Sequence, residues 1–225
     1  MATFKLHYLF DPLCGWCYAS AGALRGLAER FPDALQLHPT GLFAGPGARV
    51  ITPEFAEYAR SNDLRIASLT GQPFAAAYFE QILGGRALRF DSMPMSRALT
   101  WVRGHDSALE PKLYAVLQTA RYVEGLDTSS ADVVAACTAD LLSGAGYAID
   151  AQTLHTTLTQ QAQLAEQTAS RIEDAQALMR EVGARGVPLL LVEINQAMRP
   201  ISGADLYRDP GRLVETIEQL LQQAA

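Results

Sequence analysis

Phe4, Leu6, Tyr8 and Phe10 fall on every second position, with Lys5, His7 and Leu9 between them. That two-residue period predicts a strand with one apolar face. The period then lengthens. Leu24, Leu27, Ala28 and Phe31 recur at helical steps as one buried stripe, and Pro32-Asp33 ends it. Leu35-Gln36-Leu37-His38 alternates again and runs on toward Gly41. Strand, helix and strand in this order predict a βαβ unit with parallel strands and a right-handed crossover.

Gly45-Pro46-Gly47 breaks the pattern, and from there to about Gln163 the chain predicts helices and no strand. Thr52 followed by Pro53 and Glu54 reads as an N-cap with proline at the first helical position. Leu113, Val116, Leu117 and Ala120 give a second stripe. Ser129 with Asp132 resembles a capping box, ahead of a face made by Val134, Cys137 and Leu141. Gly144-Ala145-Gly146 ends that helix and Asp150 caps the next, for about five or six helices in the block.

A further helix runs from about Leu164 to Gly183. After Arg185-Gly186-Val187-Pro188 comes the apolar run Leu189 to Ile194, a tight turn at Asn195-Gln196, and an antiparallel partner from Ala197 to Ser202. Pro200 has no N–H to give a ladder, which places that partner at a sheet edge. Asp209-Pro210 opens a last helix with Leu213, Ile217 and Leu220 facing inward.

Hydrophobic residues make up 49% of the 225 and charged residues 19%, enough apolar content for a packed core. The net charge of −6 argues against the basic footprint of a nucleic-acid binder. No apolar run approaches the ~20 residues of a membrane span. Met1 leads directly into the first strand without a basic and apolar leader, so the expectation is a cytoplasmic protein. Three cysteines, two of them in one motif, suit a reducing compartment.

The chemistry lies in Asp11-Pro12-Leu13-Cys14-Gly15-Trp16-Cys17-Tyr18, between the first strand and the first helix. A Cys-x-x-Cys at that junction is a redox device. Its first cysteine sits at a helix N-terminus, where unpaired N–H groups and the helix dipole favour the attacking thiolate. Its second lies inside the turn. Cys14 is therefore expected to be the nucleophile and Cys17 the resolving thiol. Three other readings stand beside this one. A zinc half-site would need further ligands, and only Cys137 and four scattered histidines are available. A structural bridge over so short a loop removes little unfolded-state entropy. The third is two buried thiols without chemistry.

The ends carry β-α-β and α-β-β-α around a helical middle. This predicts an α/β chain, a thioredoxin fold with an inserted all-helical domain. Residues 1–46 and 164–225 would form the fold's two halves and 47–163 the insertion. In this the chain resembles the DsbA-like branch of the thioredoxin superfamily. The motif around Cys14 and Cys17 is similar to that of the predicted protein-disulfide isomerases related to FrnE. The resemblance covers essentially the whole chain. It implies dithiol–disulfide exchange at Cys14 and Cys17; Gly15 and Trp16, between them, are the candidate substrate-binding residues of the motif. It also implies a cis peptide bond at Val187-Pro188, in a loop against which peptide substrates lie. The implied partners are disulfide-bearing proteins or small molecules and a cellular thiol reductant or oxidant. No nucleic acid or membrane is implied, and neither metal nor organic cofactor is needed, because the two sulfurs hold the electrons. The sequence leaves the oligomeric state open.

The inner pair Gly15-Trp16 departs from the Pro-His of DsbA itself. Trp cannot carry the charge of a His, so a less oxidising centre is expected. Trp16 reads either as an apolar face for substrate or as packing over the motif. Asp11 reads as a turn residue or a proton acceptor, His7 as a sheet histidine or a neighbour of the motif. Arg185 reads as an exposed loop residue or a substrate contact. Cys137 reads as a buried free thiol or a regulatory one, and Met93 and Met95 as core residues. Two rival functions remain. One is a glutathione-dependent isomerase or transferase of the kappa-like class, which typically uses a single activated Ser where this chain has a cysteine pair. The other is a redox-sensing adaptor or chaperone.

Overall fold

The structure, a computed structural model, describes residues 4–84 and 88–223. The chain forms two compact units, Met1–Thr40 with Arg171–Ala225, and Gly41–Ser170.

The first unit is built on a four-stranded sheet in the order β2-β1-β5-β6. Its strands are β1 (Phe4–Phe10), β2 (Leu35–Pro39), β5 (Leu189–Ile194) and β6 (Ala197–Ser202). β1 pairs parallel with β2 and antiparallel with β5, and β6 closes the antiparallel edge with Pro200 opposite Leu191. Asn195 and Gln196, with φ of 50° and 68°, make the left-handed two-residue turn that matches strand twist.

β1 is central, so both its faces are covered, and every residue from Leu6 to Phe10 is buried. On one face Leu9, Leu189 and Leu191 pack against Leu178 and Met179 of α8 (Ala162–Glu181) and against Val182 just after it. On the other, the Tyr8 hydroxyl shares a hydrogen bond of 2.6 Å with Ser20 Oγ. Beyond β1 come α1 (Gly15–Ala19) and α2 (Ala21–Arg30). The pattern predicted one helix through to Phe31, but the chain breaks at Ser20. Ser20 Oγ donates to the Cys17 carbonyl at 2.9 Å, taking an acceptor that a continuous helix would use. α2 packs on α9 (Pro210–Gln223) through small residues: a Cβ at Gly22 would stand 3.1 Å from Pro210 Cγ.

The second unit holds α3 (Pro53–Thr70), α4 (Met93–His105), α5 (Glu110–Tyr122), α6 (Ala131–Gly144) and α7 (Ala151–Gln160). Thr52 caps α3 by accepting from the Phe55 N–H at 3.2 Å, and Asp150 caps α7 through the Thr153 N–H at 2.8 Å. Two expectations fail here. The block is not wholly helical, because β3 (Arg49–Val50) and β4 (Arg89–Phe90) form a short antiparallel ribbon. Two-residue strands carry no periodicity to read. The capping box is also absent. Ser130 is the N-cap of α6, and Ser129 Oγ instead accepts from the Asp91 N–H at 3.1 Å. The buried face of α6 is Val134, Ala135, Thr138, Ala139 and Leu142, leaving Cys137 and Leu141 half-buried. Met95 is in the core and Met93 is half-buried.

Candidate active site

Cys14 is the N-cap residue of α1, with φ −77° and ψ 116°; its carbonyl accepts the first helical hydrogen bonds, from the N–H groups of Cys17 and Tyr18. One turn of helix therefore separates two unlike sulfurs. Cys14 keeps 8% of its surface in solvent and Cys17 keeps none. Both are free thiols. Burial, and next the hydrogen bond and charge of the Cys14 side chain, push the Cys17 thiol well above the ordinary cysteine range. A hydrogen bond from the Asp11 backbone acts the other way, and the Asp11 carboxylate adds a further upward push.

Asp11 lies at the end of β1 and is fully buried. Its carbonyl accepts from the Cys14 N–H at 3.0 Å and its Oδ1 from the Leu13 N–H at 2.9 Å. These bonds make the turn that carries the chain from strand to helix, the Asx geometry expected of aspartate. The turn reading of Asp11 is the one these bonds describe; its carboxylate also acts on Cys17 through its charge.

Across from Cys14 lies the loop before β5. The Val187–Pro188 peptide bond is cis, as the resemblance implied. Cys14 Sγ donates to the Val187 carbonyl at 3.9 Å, a long contact within sulfur's reach. Val187 is half-buried, Pro188 is buried, and Arg185 and Gly186 are exposed. Gly15 and Trp16 are half-exposed. The fold thus brings Cys14 and Val187 into contact across 173 residues of chain.

His7 belongs elsewhere. It is 6% exposed; its Nδ1 shares a hydrogen bond of 3.0 Å with His38 Nε2, and its Nε2 contacts Glu193 Oε2 at 2.9 Å. It ties β2, β1 and β5 together as a sheet histidine. Among the described residues no group of three His, Cys, Asp or Glu could hold a metal ion. Cys137 lines an open recess of about 430 Å³ with Leu141, Glu124 and Asp140. Burial, then the charges of Glu124 and Asp140, raise its thiol. Sequence reasoning missed Tyr207, whose ring lies beside Trp16. It follows β6 with no motif to mark it.

No protein-family profile matches this chain, and no curated protein does. Solved structures do. The cytosolic disulfide reductase DsbM from Pseudomonas aeruginosa is 30% identical, with 98% of this chain and 100% of that chain covered and a TM-score of 0.83. This chain belongs to the DsbA-like thiol–disulfide oxidoreductases. A second structure of DsbM, with GSH, matches at 28% identity over 97% of this chain and 99% of that one, TM-score 0.80. A 2-hydroxychromene-2-carboxylate isomerase shares the fold at 16% identity over 97% of each chain, TM-score 0.58. No helix among the described residues is long and apolar enough to cross a membrane.

Proposed function

We propose that this protein reduces disulfides in the cytoplasm through Cys14 and Cys17, with glutathione as the restoring thiol. The observation that carries the reading is the unequal burial of the two cysteines, one turn apart, with the Val187 carbonyl opposite Cys14, the one that keeps some solvent contact. The Cys14 thiolate attacks a substrate disulfide. One substrate thiol leaves with a proton, and a mixed disulfide remains on Cys14. Cys17 has no solvent contact, so its proton needs an internal acceptor, and the buried Asp11 carboxylate serves. The Cys17 thiolate then attacks Cys14 Sγ. The Cys14–Cys17 bond forms, the second substrate thiolate departs and takes up a proton, and two electrons have passed to the substrate. Two glutathione molecules return the pair to dithiol. Val187 and Pro188 form one wall for the substrate backbone, and Gly15 and Trp16 flank the attacked sulfur. When a second thiolate of the same substrate attacks the substrate sulfur of the mixed disulfide before Cys17 does, a rearranged substrate disulfide forms, Cys14 leaves as thiolate, and the site isomerises disulfides. The direction and the reductant take their support from DsbM, described as a reductase and solved with GSH.

Insulin reduction with supplied glutathione tests the proposal. The parent accelerates precipitation of the insulin B chain and Cys14→Ser abolishes the acceleration. A Cys14→Ser variant as active as the parent overturns the assignment.

A further inference from the structure

The indole of Trp16 lies against the phenol ring of Tyr207, with centroids 5.4 Å apart and planes inclined by 42°. Tyr207 comes from the far end of the chain, directly after the 3-10 turn Gly203–Leu206 that follows β6. Leu206 is 1% exposed and anchors the turn in the core, and the Tyr207 N–H donates to the Ala204 carbonyl at 3.3 Å. The backbone under the ring is therefore held, yet both rings stay half-exposed. Only Gly15 separates Trp16 from Cys14. A substrate whose sulfur bonds to Cys14 must bring its neighbouring side chains close to this pair. Large aromatic faces with few rotatable bonds supply contact area at small entropic cost and favour tilted or offset ring partners.

We propose that Trp16 and Tyr207 form an aromatic ledge that selects disulfides whose cysteine is flanked by an aromatic side chain, with Tyr207 as the specificity-determining residue that holds the indole. This rests on the exchange reading above and adds a substrate class to it. The nucleophile does not explain Tyr207, since its ring touches the residue between the cysteines and comes from a segment outside the motif.

The test uses two peptide disulfides, one with Phe and one with Gly beside the cysteine, reduced by the full-length protein with glutathione. The parent prefers the Phe peptide through a lower KM. In Tyr207→Ala the preference, as the ratio of kcat/KM values, falls by about three- to tenfold, the scale of one aromatic pair. Tyr207→Phe keeps the preference, because the ring and not the hydroxyl makes the contact. Should Tyr207→Ala not fold, Tyr207→Leu carries the same comparison with apolar bulk retained. Equal losses on both peptides would mark Tyr207 as purely structural and overturn the inference. So would an unchanged ratio, or a parent without preference. A parent that turns over neither peptide overturns the exchange reading itself, and this inference falls with it.

Discussion

Cys14 and Cys17 have the same side chain and differ in what surrounds them. Cys14 reaches solvent at the start of α1, whereas Cys17 is sealed behind it with a raised thiol. Limited alkylation of the reduced protein at neutral pH should therefore modify Cys14 first, with Cys137 slower because burial and two nearby carboxylates raise its thiol as well. Peptide mapping that finds Cys17 or Cys137 labelled first would reverse the roles. Cys17→Ser should accumulate mixed disulfides on Cys14, visible by mass. Asp11 offers a sharper experiment, because its charge and its proton affinity predict opposite results. If the carboxylate only repels the Cys17 thiolate, Asp11→Asn speeds resolution of the mixed disulfide. If it accepts the proton, resolution at neutral pH slows on the order of tenfold to a hundredfold, toward the lower range of general-base effects. The second outcome is expected, and stopped-flow rates across pH decide it.

At the scale of elements, two short segments depend on details smaller than any hydrophobic period. Ser20 splits what the stripe from Leu24 to Phe31 presents as one helix, and it does so by hydrogen-bonding the carbonyl of Cys17. After α5 the chain turns at Gly125, where φ is +70° and a Cβ would lie 2.7 Å from the carbonyl carbon of Ala77. Both the left-handed backbone and the close approach exclude a side chain. Gly125→Ala should cost about 2 kcal/mol or more, combining the left-handed penalty with overpacking. Urea denaturation measures it, and a loss below about 0.5 kcal/mol, the usual scale of surface changes, would contradict the close approach.

For the molecule as a whole, the pH dependence of stability has a distinct contribution from Asp63 of α3. It is 4% exposed, and burial pushes its carboxyl up to about 7, against the lowering effects of the Tyr78 hydroxyl, which donates to Oδ2 at 2.9 Å, and of Arg121. The folded state holds this proton more tightly than the unfolded chain, whose aspartates titrate near about 4. The associated stability is complete below about pH 4 and is lost as pH rises to about 7. Asp63→Asn keeps a partner for Tyr78 and removes the titration. Relative to the parent it should be more stable at pH 8 than at pH 5, measured by denaturant midpoints. An effect of equal size at both values would show that Asp63 titrates normally. Arg121, itself wholly buried, stands 4.9 Å over the ring of Phe90 and 3.9 Å from Asp127. This charged interior of the second unit has no signature along the chain.

The sequence alone determined the order of strands and helices in the first unit, the edge position of β6 and the redox motif. These are legible because strand and helix periods, turn residues and the Cys-x-x-Cys spacing are local properties, written within a few residues. The loop at Val187-Pro188 was legible only through resemblance. Period tells which way a side chain points but not what lies opposite. Tertiary structure decided that His7 meets Glu193 across 186 residues, that Cys137 borders an open recess, and that Tyr207 meets Trp16. It also decided that Asp63 holds its proton near neutrality, because desolvation comes from packing by distant segments and not from the neighbours in sequence.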